Sequence, residues 1–107
     1  MAKKVRRQAK LKEYANKFLS KVPAEYVFWC HDGSIFASMK ELAEGLVTMS
    51  DEAFAYHSNS EKHDFSSWVR EVIKDEKLAI ELAEAINRSQ AAEYVAARVT
   101  FLTGWIT

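Results

Sequence analysis

The sequence predicts a mainly α-helical fold, a compact bundle of five or six helices with one small β-hairpin at about residues 26–37. Three observations predict it. Only three glycines and one proline occur in 107 residues, too few turn formers for an all-β sandwich or for long linkers. Apolar residues recur at three- and four-residue steps over most of the chain, the spacing of one helix face. One run rich in aromatic and β-branched residues, Tyr26 to Cys30, precedes an Asp-Gly pair, a strong hairpin signal. A chain of this length points to a single domain, 1–107, with one modest core.

Residues 2–19 read as the first helix, with Val5, Leu11, Tyr14, Ala15, Phe18 and Leu19 on one stripe. Pro23 closes the segment by pushing Val22 out of helical geometry. Tyr26–Cys30 is the outgoing strand, Asp32-Gly33 a two-residue turn and Ile35–Ala37 the return strand. A two-stranded hairpin is marginal alone and must pack on helices. Ser38 and Glu41 form a capping box ahead of a helix carrying Leu42, Ala43, Leu46 and Val47. Ser50 caps the next helix, with Asp51 and Glu52 favoured in its first turn. "HSNSEKH" is polar and reads as a loop. Asp64 is expected to cap a helix whose buried face is Phe65, Trp68, Val69, Val72 and Ile73. Asp75 caps a further stretch with Leu78, Ala79, Leu82, Ala83 and Ile86, and this stretch either continues the previous helix or stands apart. Ser89 is expected to cap the last helix, through Tyr94, Val95, Arg98, Phe101 and Leu102, and Gly104 to end it.

Net charge is zero, but its distribution is lopsided. Residues 1–21 hold eight basic side chains and one acid, a balance of +7; residues 22–107 hold seven basic and fourteen acidic, a balance of −7. A basic arm thus precedes an acidic body, and the arm either folds back or meets something anionic. A lone cysteine, Cys30, gives no disulfide framework and suits a reducing, cytoplasmic setting. The basic start lacks the apolar core of a secretory signal, and no run approaches a membrane span, so no membrane partner is expected.

Several residues at fixed spacing carry a resemblance: Gly33, Ile35, Ser38 and Glu41-Leu42; F-x-Y-H at 54–57; H-D-F-x-x-W-V at 63–69; D-x-x-L-A at 75–79. Over roughly 27–86 the chain resembles a small, largely archaeal family of prokaryotic domains of unknown function. The resemblance implies no activity. It marks His57, Asp64, Phe65 and Trp68 as the signature, and position 63, often Asn in that pattern, is His here.

His57, His63 and Asp64, with His31 or Asp32, could supply metal ligands, and His31, His63-Asp64 and Asp75 imitate the ligand order of helical metal-dependent hydrolases. The spacing is not that of a structural zinc site, so no metal and no cofactor are expected, and a hydrolase centred on His57 and Asp64 is the weakest alternative. His57 is better read as a core or loop histidine hydrogen-bonded to a backbone group near residue 64. Cys30-His31-Asp32 are adjacent, yet neighbours on a strand point to opposite faces. Residues 38–59 have the outline of a helix-turn-helix, but Asp51 and Glu52 would repel phosphate where the second helix should meet it. Lys3, Lys4, Arg6, Arg7, Lys10 and Lys12 could cover a phosphate backbone through counterion release. The last nine residues carry no charged side chain, so Phe101, Trp105 and Ile106 are expected to dock on the body or on a partner. The expected function is therefore a non-enzymatic interaction module, a homo-oligomer or protein binder, with DNA or RNA contact through the arm as the alternative.

Overall fold

A computed structural model of the chain describes the backbone of residues 2–106 and the side chains of residues 9–106. In chain order the elements are α1 (Ala2–Leu19), a 3-10 turn (Ala24–Tyr26), β1 (Phe28–Trp29), β2 (Ile35–Phe36), α2 (Met39–Thr48), α3 (Asp51–His57), α4 (Asp64–Trp68), a π-helical turn (Val69–Ile73), α5 (Glu76–Glu84) and α6 (Arg88–Thr103). The fold is the expected one: a helical bundle with one antiparallel hairpin, in which Phe28 faces Phe36 and Trp29 faces Ile35.

Helices α2 and α6 form the central pair, and α1 lies across them. Met39, Leu42 and Leu46 on α2 and Val95 on α6 are fully buried, which follows from their helical spacing. The second half of α1 joins this core through Ala15, with Phe18 and Leu19 packed at its margin. The hairpin packs on α2 through β2. Its alternation sends Phe28 and Phe36 inward, where Phe28 stacks on Phe65 at 4.9 Å and meets the edge of Trp68 at 5.9 Å. Gly45 is what lets Phe36 approach α2: a Cβ there would lie 2.2 Å from the ring.

Capping decides most helix starts as expected. Ser38 accepts from the Glu41 N–H at 3.2 Å, and Ser50 from the Ala53 N–H at 3.0 Å. The Glu41 carboxylate reaches back to the Ala37 N–H at 2.9 Å, one residue further than a standard capping box. Four local expectations are corrected. The turn is a three-residue loop: Cys30 accepts from Gly33 N–H at 3.0 Å and donates to Ser34 at 2.9 Å, with Gly33 at φ +94°. Gly33 takes the left-handed bulge position that follows a type I turn, so Asp32 is spared a positive φ. Asp64 is the first helical residue and caps nothing; His63 stands at the cap position without a side-chain bond. Asn87, not Ser89, caps α6 by accepting from Gln90 N–H at 2.8 Å. Gly104 follows the last helix in right-handed geometry, φ −58°, not in the left-handed cap.

The helices after Asp64 are separate. Val69 C=O accepts from Lys74 N–H at 2.7 Å, a five-residue step that widens the last turn. Lys74 then adopts φ +77° and breaks the helix. Asp75 follows, 1% exposed, and caps α5 through the Leu78 N–H at 3.3 Å. Its carboxylate also takes two bonds from Arg98 of α6, at 2.7 and 3.1 Å, a bidentate pair that offsets the burial of the charge.

Candidate functional site

The two-residue ladder, α3 and the start of α4 meet around His57, which is 5% exposed. Its Nε2 accepts the backbone N–H of His31 at 2.8 Å. That bond requires an unprotonated Nε2, so the proton of the neutral ring sits on Nδ1, where it donates to Asp64 Oδ2 at 2.9 Å. Lys62 approaches the same carboxylate oxygen at 3.3 Å. The ring edge also meets Phe28 at 5.0 Å. His57 therefore brackets three segments: the hairpin turn, the end of α3 and the start of α4. Both nitrogens are committed, which leaves no lone pair for a metal and no free base. Asp64 gives up the expected capping role because its carboxylate turns to His57.

The other proposed ligands are dispersed. His31 is exposed and stacks on Tyr56 at 3.8 Å; Asp75 is held by Arg98. Among the described residues, no group of three or more His, Cys, Asp or Glu side chains could hold a metal ion. Cys30 is buried, and burial pushes its thiol above the ordinary range, the opposite of an activated nucleophile. Asp32 sits in the turn, its carboxylate held low by the Ser34 N–H it accepts at 2.9 Å.

What remains exposed on this side is aromatic. The inward turn of Phe28 and Phe36 forces Trp29 and Ile35 outward, 69% and 46% exposed. At the hairpin tip the stack of His31 on Tyr56 continues the surface, with the Lys62 ammonium 4.1 Å from the Tyr56 ring centre. Phe65 and Trp68 of the signature are core residues, and Trp68 Nε1–H donates to Tyr26 C=O at 2.8 Å.

In the arm, the side chains of Lys3, Lys4, Arg6 and Arg7 lie outside the described residues. Lys10 and Lys12 are exposed, and among the described residues neither they nor Lys17 pairs with an acid; Lys21 alone reaches the body, at Glu41, 3.8 Å. At the opposite end, Trp105 and Ile106 are half-buried against the core while Phe101 is half-exposed. Phe101 lies under the Arg98 guanidinium at 5.4 Å and borders a shallow cleft of about 270 Å³ with Lys77, Glu81 and Tyr94.

Two arginines were not singled out by sequence. Arg98 had a readable signal, a cation within the apolar stripe of α6 that demands a buried partner. Arg88 had none: from the start of α6 it donates to the Leu46 and Val47 carbonyls at 2.9 and 3.0 Å and pairs with Asp51 at 2.8 Å, closing the end of α2. Comparison of the chain with protein-family models, with curated proteins and with solved structures gives no match.

Proposed function

We propose that the protein is a non-enzymatic interaction module that self-associates through the outer face of its hairpin. The observation that carries this reading is the Trp29–Ile35 pair, a tryptophan and an isoleucine side by side in solvent on a sheet of two strands. Tryptophan is the residue type most enriched in the energetic centres of protein interfaces, and a two-stranded sheet gains from any added surface. The commitments around His57 support a non-enzymatic reading, because a histidine with both nitrogens bonded is a fastener. The signature positions that resemble the archaeal family do structural work here: Gly33 makes the turn, Ser38 and Asp75 cap helices, His57 and Asp64 form the bracket, and Phe65 and Trp68 fill the core. Such a signature specifies a fold, and the cytoplasm suits its free thiol. Light scattering over a concentration series tests the reading. A mass that grows with concentration, and falls back when Trp29 is replaced by Ser, is expected; a mass that stays monomeric at high concentration sinks it.

The exposed Lys10 and Lys12, which pair with no acid among the described residues, favour a second reading, in which they act with Lys3, Lys4, Arg6 and Arg7 to hold a DNA or RNA backbone without reading sequence. Binding that weakens steeply with salt and disappears on removal of residues 1–12 is its signature. Binding unchanged by that truncation refutes it.

A further inference from the structure

Tyr14 belongs by spacing to the apolar stripe of α1, yet it is 42% exposed. A second stripe accounts for its place. Lys3, Arg7, Lys10, Tyr14 and Lys17 follow one another at steps of four, three, four and three residues, the spacing of one helix face. Lys10 and Lys17 are exposed on either side of Tyr14. Glu13, the one acid among residues 1–21, is a single position away from Tyr14 and so about 100° round the helix from it. The Tyr14 ring lies parallel to that of Phe18, with centroids 5.8 Å apart and 7° between the planes. The Lys10 ammonium stands 5.9 Å from the Tyr14 ring centre. Phe18 packs at the margin of the core, so its stack on Tyr14 fixes how that ring is held. The result is one aromatic ring, half in solvent, set in a row of cations.

We propose that this stripe binds single-stranded nucleic acid, with a base stacked on Tyr14 and the phosphates on either side of that base met by Lys10 and Lys17. The inference rests on the second reading above, that the arm holds nucleic acid, and adds the form of nucleic acid and the residue that selects it. Cations alone complement any phosphate backbone. An exposed ring among them gains only from a single strand. In a duplex the bases are stacked on one another, whereas a single strand can lay the face of a base on an aromatic side chain. Stacking uses the π-face that every base has, so the contact tolerates any sequence and either sugar. Lys10 lies one turn before Tyr14 and Lys17 one turn after it, which places a positive charge on each side of the stacked base. A lipid surface fits less well. Helices that lie on membranes bury a broad apolar face, and the apolar side of α1, with Ala15, Phe18 and Leu19, is packed on the core.

The full chain is titrated, by fluorescence anisotropy, onto oligothymidylate and oligouridylate of about 12 nucleotides, a length in the range of small single-strand sites. A DNA duplex of the same length is the comparison, and each titration is run at about 50 and about 200 mM salt. Tyr14→Leu keeps an apolar contact with Phe18 and removes the aromatic face. It is expected to weaken single-strand binding by about 5-fold or more at both salt concentrations. Its duplex binding should stay that of the parent, which also shows that the variant folds. Tyr14→Phe should retain the single-strand affinity, because stacking needs the ring and not the hydroxyl. Lys17→Gln should lower the slope of log K against log salt by about 0.7 on single strands, the loss of one phosphate contact; an unchanged slope removes Lys17 from the site. Single-strand binding that is unchanged in Tyr14→Leu overturns the stacking and leaves the backbone reading standing. An equal loss on single strand and duplex, or an equal loss in Tyr14→Phe and Tyr14→Leu, overturns the stacking as well. A chain that binds no oligonucleotide at the lower salt overturns both, and its capture by vesicles of anionic phospholipid would assign the stripe to a membrane surface instead.

Discussion

His57→Phe isolates what the bracket contributes. Phenylalanine keeps a ring of similar size among Phe28, Tyr56 and Phe65, the rings packed around His57, and removes both nitrogens. The His31 N–H then faces carbon in a partly buried position, an unsatisfied donor that costs about 1–3 kcal/mol. Asp64 loses its His57 bond but keeps Lys62 and is about one-third exposed, so this part costs at most about 1 kcal/mol. The sum is about 1–4 kcal/mol, a large share of the 5–15 kcal/mol typical of a small domain. His57→Ala suffers the same losses and also vacates the ring, for a total of about 4–6 kcal/mol. Urea unfolding followed by circular dichroism measures both, with the slope m checked for constancy. Native exchange should show faster opening of the 58–63 joint in His57→Phe than in the parent. If His57→Phe lies within about 0.5 kcal/mol of the parent, the size of an ordinary surface change, the nitrogens hold nothing and the bracket reasoning fails.

Three further outcomes are expected. Gly45→Ala should destabilise the protein by about 1–3 kcal/mol despite the better helix propensity of alanine, because the new Cβ lands 2.2 Å from the buried Phe36 ring; a gain in urea midpoint would show that the ring moves aside freely. Arg98→Met should cost about 3–5 kcal/mol by leaving the buried Asp75 carboxylate without its cation, and adding Asp75→Asn should recover part of that loss in the double variant. Burial raises the Cys30 thiol in the folded state, so the unfolded chain ionises first as pH rises. The resulting contribution to stability is complete below the ordinary thiol range near ~8.5 and fades as pH climbs through the higher folded value; iodoacetamide labelling at pH 8 should be slow in native protein and fast in urea, and equal rates would contradict it.

Sequence by itself determined the helices, the hairpin and three of the caps, because these depend on periodicity and on bonds spanning three or four residues. Ser38, Ser50 and Asp75 were legible for that reason. The signature around His57 was legible as a joint between helices, with Phe65 and Trp68 turned inward. Tertiary structure decided the rest. Asp64 carries a capping residue's identity, yet a histidine seven positions earlier claims its carboxylate, and local rules cannot rank the two partners. The donor that fixes the His57 tautomer is a backbone amide 26 residues away, and every non-proline residue has such an amide. The outer backbone groups of Ala37 are claimed by Val22 and Glu41, which reach it from outside the hairpin. Local bonds are written in spacing; the bracket and the Asp75–Arg98 pair arise only once distant segments compete for the same polar groups.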